Sequence, residues 1–101
     1  MQNYHDYKVL ILEPNKSGKG YKTRKTVEND TSPSQAAYHI ARREGYVCKQ
    51  TMQGWIYSYM TEVETPANNI YDGLFAQYPN AKLIISVQSL RGSIKTYIVT
   101  G

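Results

Sequence analysis

The fourteen residues VCKQTMQGWIYSYM, Val47 to Met60, decide the fold. As extended chain they form a β-hairpin; as helix they would remove the middle of any sheet. β-Branched and aromatic residues crowd both halves, as they do in strands, and Gln53-Gly54 supplies a two-residue turn. In that register Met52, Gln50 and Cys48 lie across from Trp55, Tyr57 and Tyr59. The three rings then share one face of the second strand, because side chains alternate along extended chain. Turned toward a helix they are core. Turned outward they are a platform for bases or for a protein partner.

The same pattern recurs. GYKTRKTVE from Gly20, GWIYSYMTE from Gly54 and GSIKTYIVTG from Gly92 all begin with glycine and continue with strand formers. KVLILE from Lys8, VCKQTM from Val47 and KLIISVQ from Lys82 precede them, separated by the turn signals PNKSGKG, QG and SLRGS. Three hairpins follow from this. After the first hairpin, Ser32-Pro33-Ser34-Gln35 places a capping serine, a proline at the first helical position and a glutamine suited to a capping box. Ala37, Ile40, Ala41 and Glu44 then form one helical stripe, and Gly45 ends it. After the second, Thr65-Pro66-Ala67-Asn68 repeats the signal, and Ile70, Tyr71, Leu74, Phe75 and Tyr78 form an apolar stripe ended by Pro79-Asn80. Pro33 and Pro66 are 33 residues apart, and Gly20 and Gly54 are 34 apart. The chain therefore reads as an α+β fold of order ββαββαββ: a duplicated ββα unit, closed by a last hairpin, with antiparallel sheet packed by two helices.

A rival pattern spans part of the same stretch. From Ala41 to Ile56, ARREGYVCKQTMQGWI resembles a helix-turn-helix of DNA-binding proteins: alanine, three residues, glycine, a turn, then Thr-Met and Trp-Ile. It departs from that pattern twice. Tyr46 adds a residue to the turn, and Gly54 falls inside the recognition helix, where glycine costs about 1 kcal/mol. The strand reading of WIYSYM takes precedence.

The 101 residues, 41% hydrophobic and 20% charged, match one globular domain, residues 1–101. Cys48 is the only cysteine, so no internal disulfide forms, and a lone thiol suits a reducing compartment. MQNYHDYK at the N-terminus has neither the basic nor the apolar region of a signal peptide. No apolar run approaches a membrane span. A cytoplasmic, non-membrane protein is expected.

Charge is the strongest functional signal. Twelve Lys/Arg face eight Asp/Glu, a net charge of +4. In LILEPNKSGKGYKTRK, Leu10 to Lys25, five cations (Lys16, Lys19, Lys22, Arg24, Lys25) follow Glu13 with no acid among them. This is not a P-loop. Gly18 and Gly20 are too close for the required Gly-x4-Gly-Lys-Ser/Thr spacing, and YKTRKTV after them is a strand, which lacks the free N–H groups of a helix N-terminus. It reads instead as a flexible basic finger that grips phosphates, or as a solvated edge strand guarded by charge. The candidate nucleic-acid contacts are Lys16, Lys19, Lys22, Arg24 and Lys25, with Arg42 and Arg43 of the first helix. Tyr21 or Trp55 is the base-stacking ring.

Catalysis has little support. His5 belongs to the N-terminal tail and His39 to a helix surface. No second histidine stands at ligand spacing and one cysteine builds no thiolate zinc site, so no metal or other cofactor is expected. Glu28 with Asp30, and Glu62 with Glu64, read as solvated entries to the helices. A Cys48–His39 dyad is the sole enzymatic arrangement to consider. The expectation is a small non-catalytic binding protein with DNA or RNA as partner. The alternative is a protein-binding inhibitor or accessory module of the kind a phage or other mobile element encodes. Free sheet edges would also permit a homodimer.

Overall fold

The computed structural model describes residues 3–46, 49–51, 54–56 and 60–100; of 49–51 and 54–56 it describes the backbone alone. In chain order the elements are β1 (His5–Pro14), β2 (Tyr21–Asp30), α1 (Pro33–Arg43), β3 (Lys49–Thr51), β4 (Gly54–Ile56), β5 (Met60–Val63), a 3-10 turn (Ala67–Asn69), α2 (Asp72–Gln77), β6 (Leu83–Gln88) and β7 (Ile94–Val99). Five strands make one sheet in the order β2-β1-β6-β7-β5, with every neighbouring pair antiparallel. β3 and β4 form a separate antiparallel pair. The expected α+β class, with antiparallel sheet and two helices, is the class observed.

Residues 49–51 and 54–56 are extended, so the helix-turn-helix pattern is not realised over them. Thr51 lies opposite Gly54 and Gln50 opposite Trp55. Gly54 is therefore within the ladder rather than in the turn, and Trp55 faces Gln50 instead of Met52. Cys48, Tyr57, Tyr59 and the ring of Trp55 lie outside the described residues and side chains.

The first ββα unit folds as its sequence signals direct. Ser32 has extended backbone and its hydroxyl accepts from the Gln35 N–H at 3.2 Å, with Pro33 opening the helix. At the other end Tyr46 N–H donates to Ala41 O and Gly45 N–H to Arg42 O, with Gly45 at φ +100. That is a Schellman stop, which requires a left-handed residue at this position.

The second unit diverges. Pro66 precedes only a 3-10 turn, in which Asn68 (φ 58) and Asn69 (φ 56) are left-handed and break the run. Thr65, the expected cap, bonds instead to the Thr96 hydroxyl at 2.8 Å and the Ile94 carbonyl at 3.2 Å on β7. The helix is delayed to Asp72 and is six residues long. The repeat is thus approximate: β3–β4 leaves the main sheet, and β5 takes its edge.

Two apolar layers flank the sheet. On one face Tyr7, Val9, Ile11, Leu83, Ile85, Val87, Tyr97 and Val99 pack against Ala36, Ala37, Ile40 and Ala41 of α1. On the other, Leu12, Ile84 and Ile98 pack against Tyr71, Leu74 and Ala81. β6 is buried on both sides, which explains why LIISV is a continuous apolar run with no alternation. On the α2 side, past Tyr71, the β1–β2 part of the face is exposed among the described residues at Lys8, Lys25 and Val27. No helix of the described residues is long and apolar enough to cross a membrane.

Candidate nucleic-acid interface

β1 and β2 are ten residues each, but β6 pairs with β1 only through Lys8–Leu12. Glu13, Pro14 and the turn up to Tyr21 therefore stand beyond the end of β6. The turn is tied by its own bonds. Asn15 N–H donates to Gly20 O (3.2 Å), Gly18 N–H to Asn15 O (3.1 Å) and Asn15 Nδ2 to Lys19 O (2.9 Å). Gly18 and Gly20 take φ +80 and +72, a region other residues adopt at a penalty. The finger is an organised turn, and a strand rather than a helix follows it, in line with the rejection of a P-loop.

Lys16 and Lys19 are exposed on this turn. Lys22 and Arg24 lie on the α1 face of β2, opposite Glu13 and Ile11, while Lys25 lies on the α2 face opposite Leu10. The nine candidate residues are not equivalent. Arg24 is ion-paired with Glu44 at the end of α1, and Arg43 with Glu28 of β2. These two arginines clamp helix to strand. Arg42, between them, is exposed. Tyr21 stacks on Phe75 of α2, ring centroids 5.3 Å apart and 28° between planes, so its ring packs, partly buried, against the core and braces the base of the projecting turn. Trp55 is in β4, and its ring lies outside the described side chains.

The alternation of β1 also places a cation that the sequence reading missed. Lys8 shares the α2 face with Leu10 and Leu12, and the register sets it beside Val27 and diagonal to Lys25. Lys8, Leu10, Lys25, Val27, Ser86 and Ile94 line a cavity of about 550 Å³ on the open half of that face, and no carboxylate lines it. At its inner end the Tyr71 hydroxyl bonds to the Ser86 hydroxyl at 2.9 Å. The signal was present in the period-two pattern, but only the pairing of β1 with β2 brings the two lysines together.

One group expected to be solvated is buried. Asp30 is only 5% exposed. Its carboxylate pairs with His39 Nδ1 and accepts from Thr31 N–H at 2.9 Å. Asp30 ends β2 directly beneath α1, which is why a residue read as a loop entry is buried. Glu28, Asp30 and His39 each bring one potential ligand atom within 4.8 Å of the others. All three already have partners, Arg43 for Glu28 and one another for Asp30 and His39, so an ion would have to displace a formed pair.

Burial pushes the Tyr97 phenol above the ordinary tyrosine range, reinforced by the charge and hydrogen bond of Glu62 across the ladder and by Tyr7. Burial, with Glu13 and Glu44 nearby, also raises Tyr46. The fold holds the protonated Tyr97 phenol more tightly than the unfolded chain does. Its contribution is therefore complete below about pH 10 and lost as pH rises past that value toward the folded one. The unfolding free energy from urea transitions should fall as pH rises from about 10 to about 12, by up to about 1.4 kcal/mol per pH unit from this group. Tyr97→Phe should flatten that fall; an equally steep fall in the variant would refute the assignment.

Five antiparallel strands with a helix on each side define a small α+β protein, with a cavity on one face lined by two lysines and no carboxylate. Set against protein-family models, curated proteins and solved structures, the chain matches none.

Proposed function

We propose that the protein binds nucleic acid through the β1–β2 hairpin. Lys16, Lys19 and Lys22 at its projecting end contact phosphates, and Lys25 and Lys8 extend the track along the open half of the α2 face. The observation that carries this reading is the sorting of charge. The acids Glu28, Asp30 and Glu44 are held in pairs by Arg43, His39 and Arg24, whereas the five lysines have no ion-pair partner among the described residues, Glu13 opposite Lys22 being the one acid beside them on the projecting end. Unpaired cations release counterions when they meet phosphates, and this drives sequence-independent binding. Arg42 is a secondary contact. Arg24 and Arg43 act as clamps, and the Tyr21 ring is engaged by Phe75.

Mobility-shift titrations against single- and double-stranded DNA and RNA across a salt series test this. Lys16→Gln/Lys19→Gln/Lys22→Gln should lower the slope of log K against log salt by about 2 to 3. An unchanged slope, or no binding by the parent protein at low salt, overturns the reading.

One observation favours the second reading, a protein-binding module without catalytic activity. Leu90 in the β6–β7 turn is 79% exposed and Ile70 is 58% exposed. Exposed aliphatic anchors serve a protein partner, and binding through them would be nearly independent of salt.

A further inference from the structure

We infer that the free edge of β2 pairs with the same edge of a second copy, across a two-fold axis at Thr26, to make a continuous ten-stranded sheet. The inference stands on the edge alone and does not rest on the nucleic-acid reading. β2 is ten residues long and pairs only with β1 among the described strands. Antiparallel ladders alternate, so every second residue turns its N–H and C=O outward. The Asn15 N–H bond to Gly20 O makes that pair hydrogen-bonded, and the register then points Thr23, Lys25, Val27 and Asn29 outward. Pro14 fits: it sits in the pair that needs no donor toward β2. A row of unsatisfied backbone groups is therefore presented to solvent, and such edges recruit strands.

The side chains say which strand. The first half of β2 is basic (Lys22, Arg24, Lys25) and the last third acidic (Glu28, Asp30). An antiparallel copy sets the basic half of one β2 against the acidic end of the other. In the register centred on Thr26, Arg24 faces the partner's Glu28, and this match occurs twice; Lys22 falls opposite the partner's Asp30, which is held beneath α1 by His39 and takes no part. Each Arg24 already holds Glu44, and each Glu28 holds Arg43. The contact would therefore join them as alternating chains of four charges. On the opposite face Val27, 66% exposed and the only large hydrophobic residue that exposed in a strand among the described side chains, meets the aliphatic stem of the partner's Lys25. Centring on Lys25 instead would set two lysines directly opposite, which is unfavourable. The two-fold also brings both open half-faces side by side, so Lys8 and Lys25 of the two copies line one surface.

Sedimentation equilibrium across concentration tests the pairing, with variants in a Cys48→Ser background. The parent should show twice the chain mass. Val27→Pro removes an outward N–H from each copy and none from the β1 ladder, so it should weaken the dimer at least about tenfold. Thr26→Cys should oxidise to an intermolecular disulfide, since residues opposite each other at a non-hydrogen-bonded position have Cα atoms about 4.5 Å apart. Lys25→Cys, offset across the axis by about 7–8 Å, should not. A parent that stays monomeric up to about 0.5 mM overturns the proposal. So does a dimer in which Lys25→Cys crosslinks and Thr26→Cys does not, or one that neither crosslinks at Thr26 nor responds to Val27→Pro. Should Val27→Pro misfold by circular dichroism, the two cysteine variants decide alone.

Discussion

Ile84→Ala and Ile85→Ala should each lower the unfolding free energy by about 2–5 kcal/mol, read from urea transitions followed by circular dichroism. The two side chains are adjacent in β6, point to opposite faces, and are both 0% exposed. Ile85 sits in the layer under α1, with Val9, Tyr97 and Ile40; Ile84 sits in the layer under α2, with Leu12, Tyr71 and Ile98. Each truncation removes transfer free energy and leaves a cavity that flanking strands, fixed by their ladders, fill only in part. Domains of this size have total stabilities of about 5–15 kcal/mol, so either change takes a large share. In a sheet covered on one side, one of the pair would be nearly neutral. Similar losses at both positions would establish that β6 is sandwiched; a loss below about 0.5 kcal/mol at either would remove the layer assigned to that face.

Much of this arrangement was legible because local signals agreed with one another. The strands around Leu10, Thr23, Ile85 and Tyr97 were found from strand formers flanked by glycine turns. α1 was found from its serine cap, proline and terminal glycine, and all three act as expected. The second copy of the same signals misled. Thr65-Pro66 has the composition of a cap, yet a hydroxyl caps a helix only when no better partner is near, and Thr96 on β7 is nearer. Ile70 belongs to the predicted apolar stripe but is 58% exposed, because the left-handed Asn68 and Asn69 turn the chain before the helix starts. The 33-residue spacing of the prolines holds, and the folded units it separates differ.

The candidate site was legible in composition and opaque in geometry. Cation density marked the Lys16–Lys25 segment, and strand alternation put Lys22 and Arg24 on one face and Lys25 on the other, as found. Which cations are engaged depends on tertiary contacts. Arg24 lies 20 residues from Glu44, and Arg43 lies 15 from Glu28. Only the docking of α1 over β2 makes those pairs. Tyr21 was read as a stacking ring because tyrosine serves bases and cores equally well; its Phe75 neighbour is 54 residues away and on another element. Lys8 went unremarked for the converse reason. It stands alone in sequence and gains meaning when β1 and β2 set it near Lys25.

Tyr71→Ala should be the most damaging change on the α2 side, at about 3–5 kcal/mol, and Tyr71→Phe should cost about 1–3 kcal/mol. The ring is 2% exposed among Leu12, Ile84 and Ile98, and the hydroxyl bonds to Ser86, itself 5% exposed. Alanine removes both contributions. Phenylalanine keeps the ring but strands the Ser86 hydroxyl in an apolar setting, where an unmatched polar group is expensive. A six-residue helix has little stability of its own, so α2 is held by what Tyr71 and Leu74 bury. Loss of the ring should then release α2, expose Phe75 and unstack Tyr21 from it, loosening the base of the basic turn. Two measurements separate this chain of effects from general unfolding. Amide exchange in Tyr71→Ala should accelerate over 72–77 and around Tyr21 before it accelerates in α1, and Tyr71→Phe/Ser86→Ala should recover part of the Tyr71→Phe loss by removing both polar partners together. Exchange that quickens uniformly across both faces, or a double variant no better than Tyr71→Phe, would mean that Tyr71 does not anchor α2 in this way.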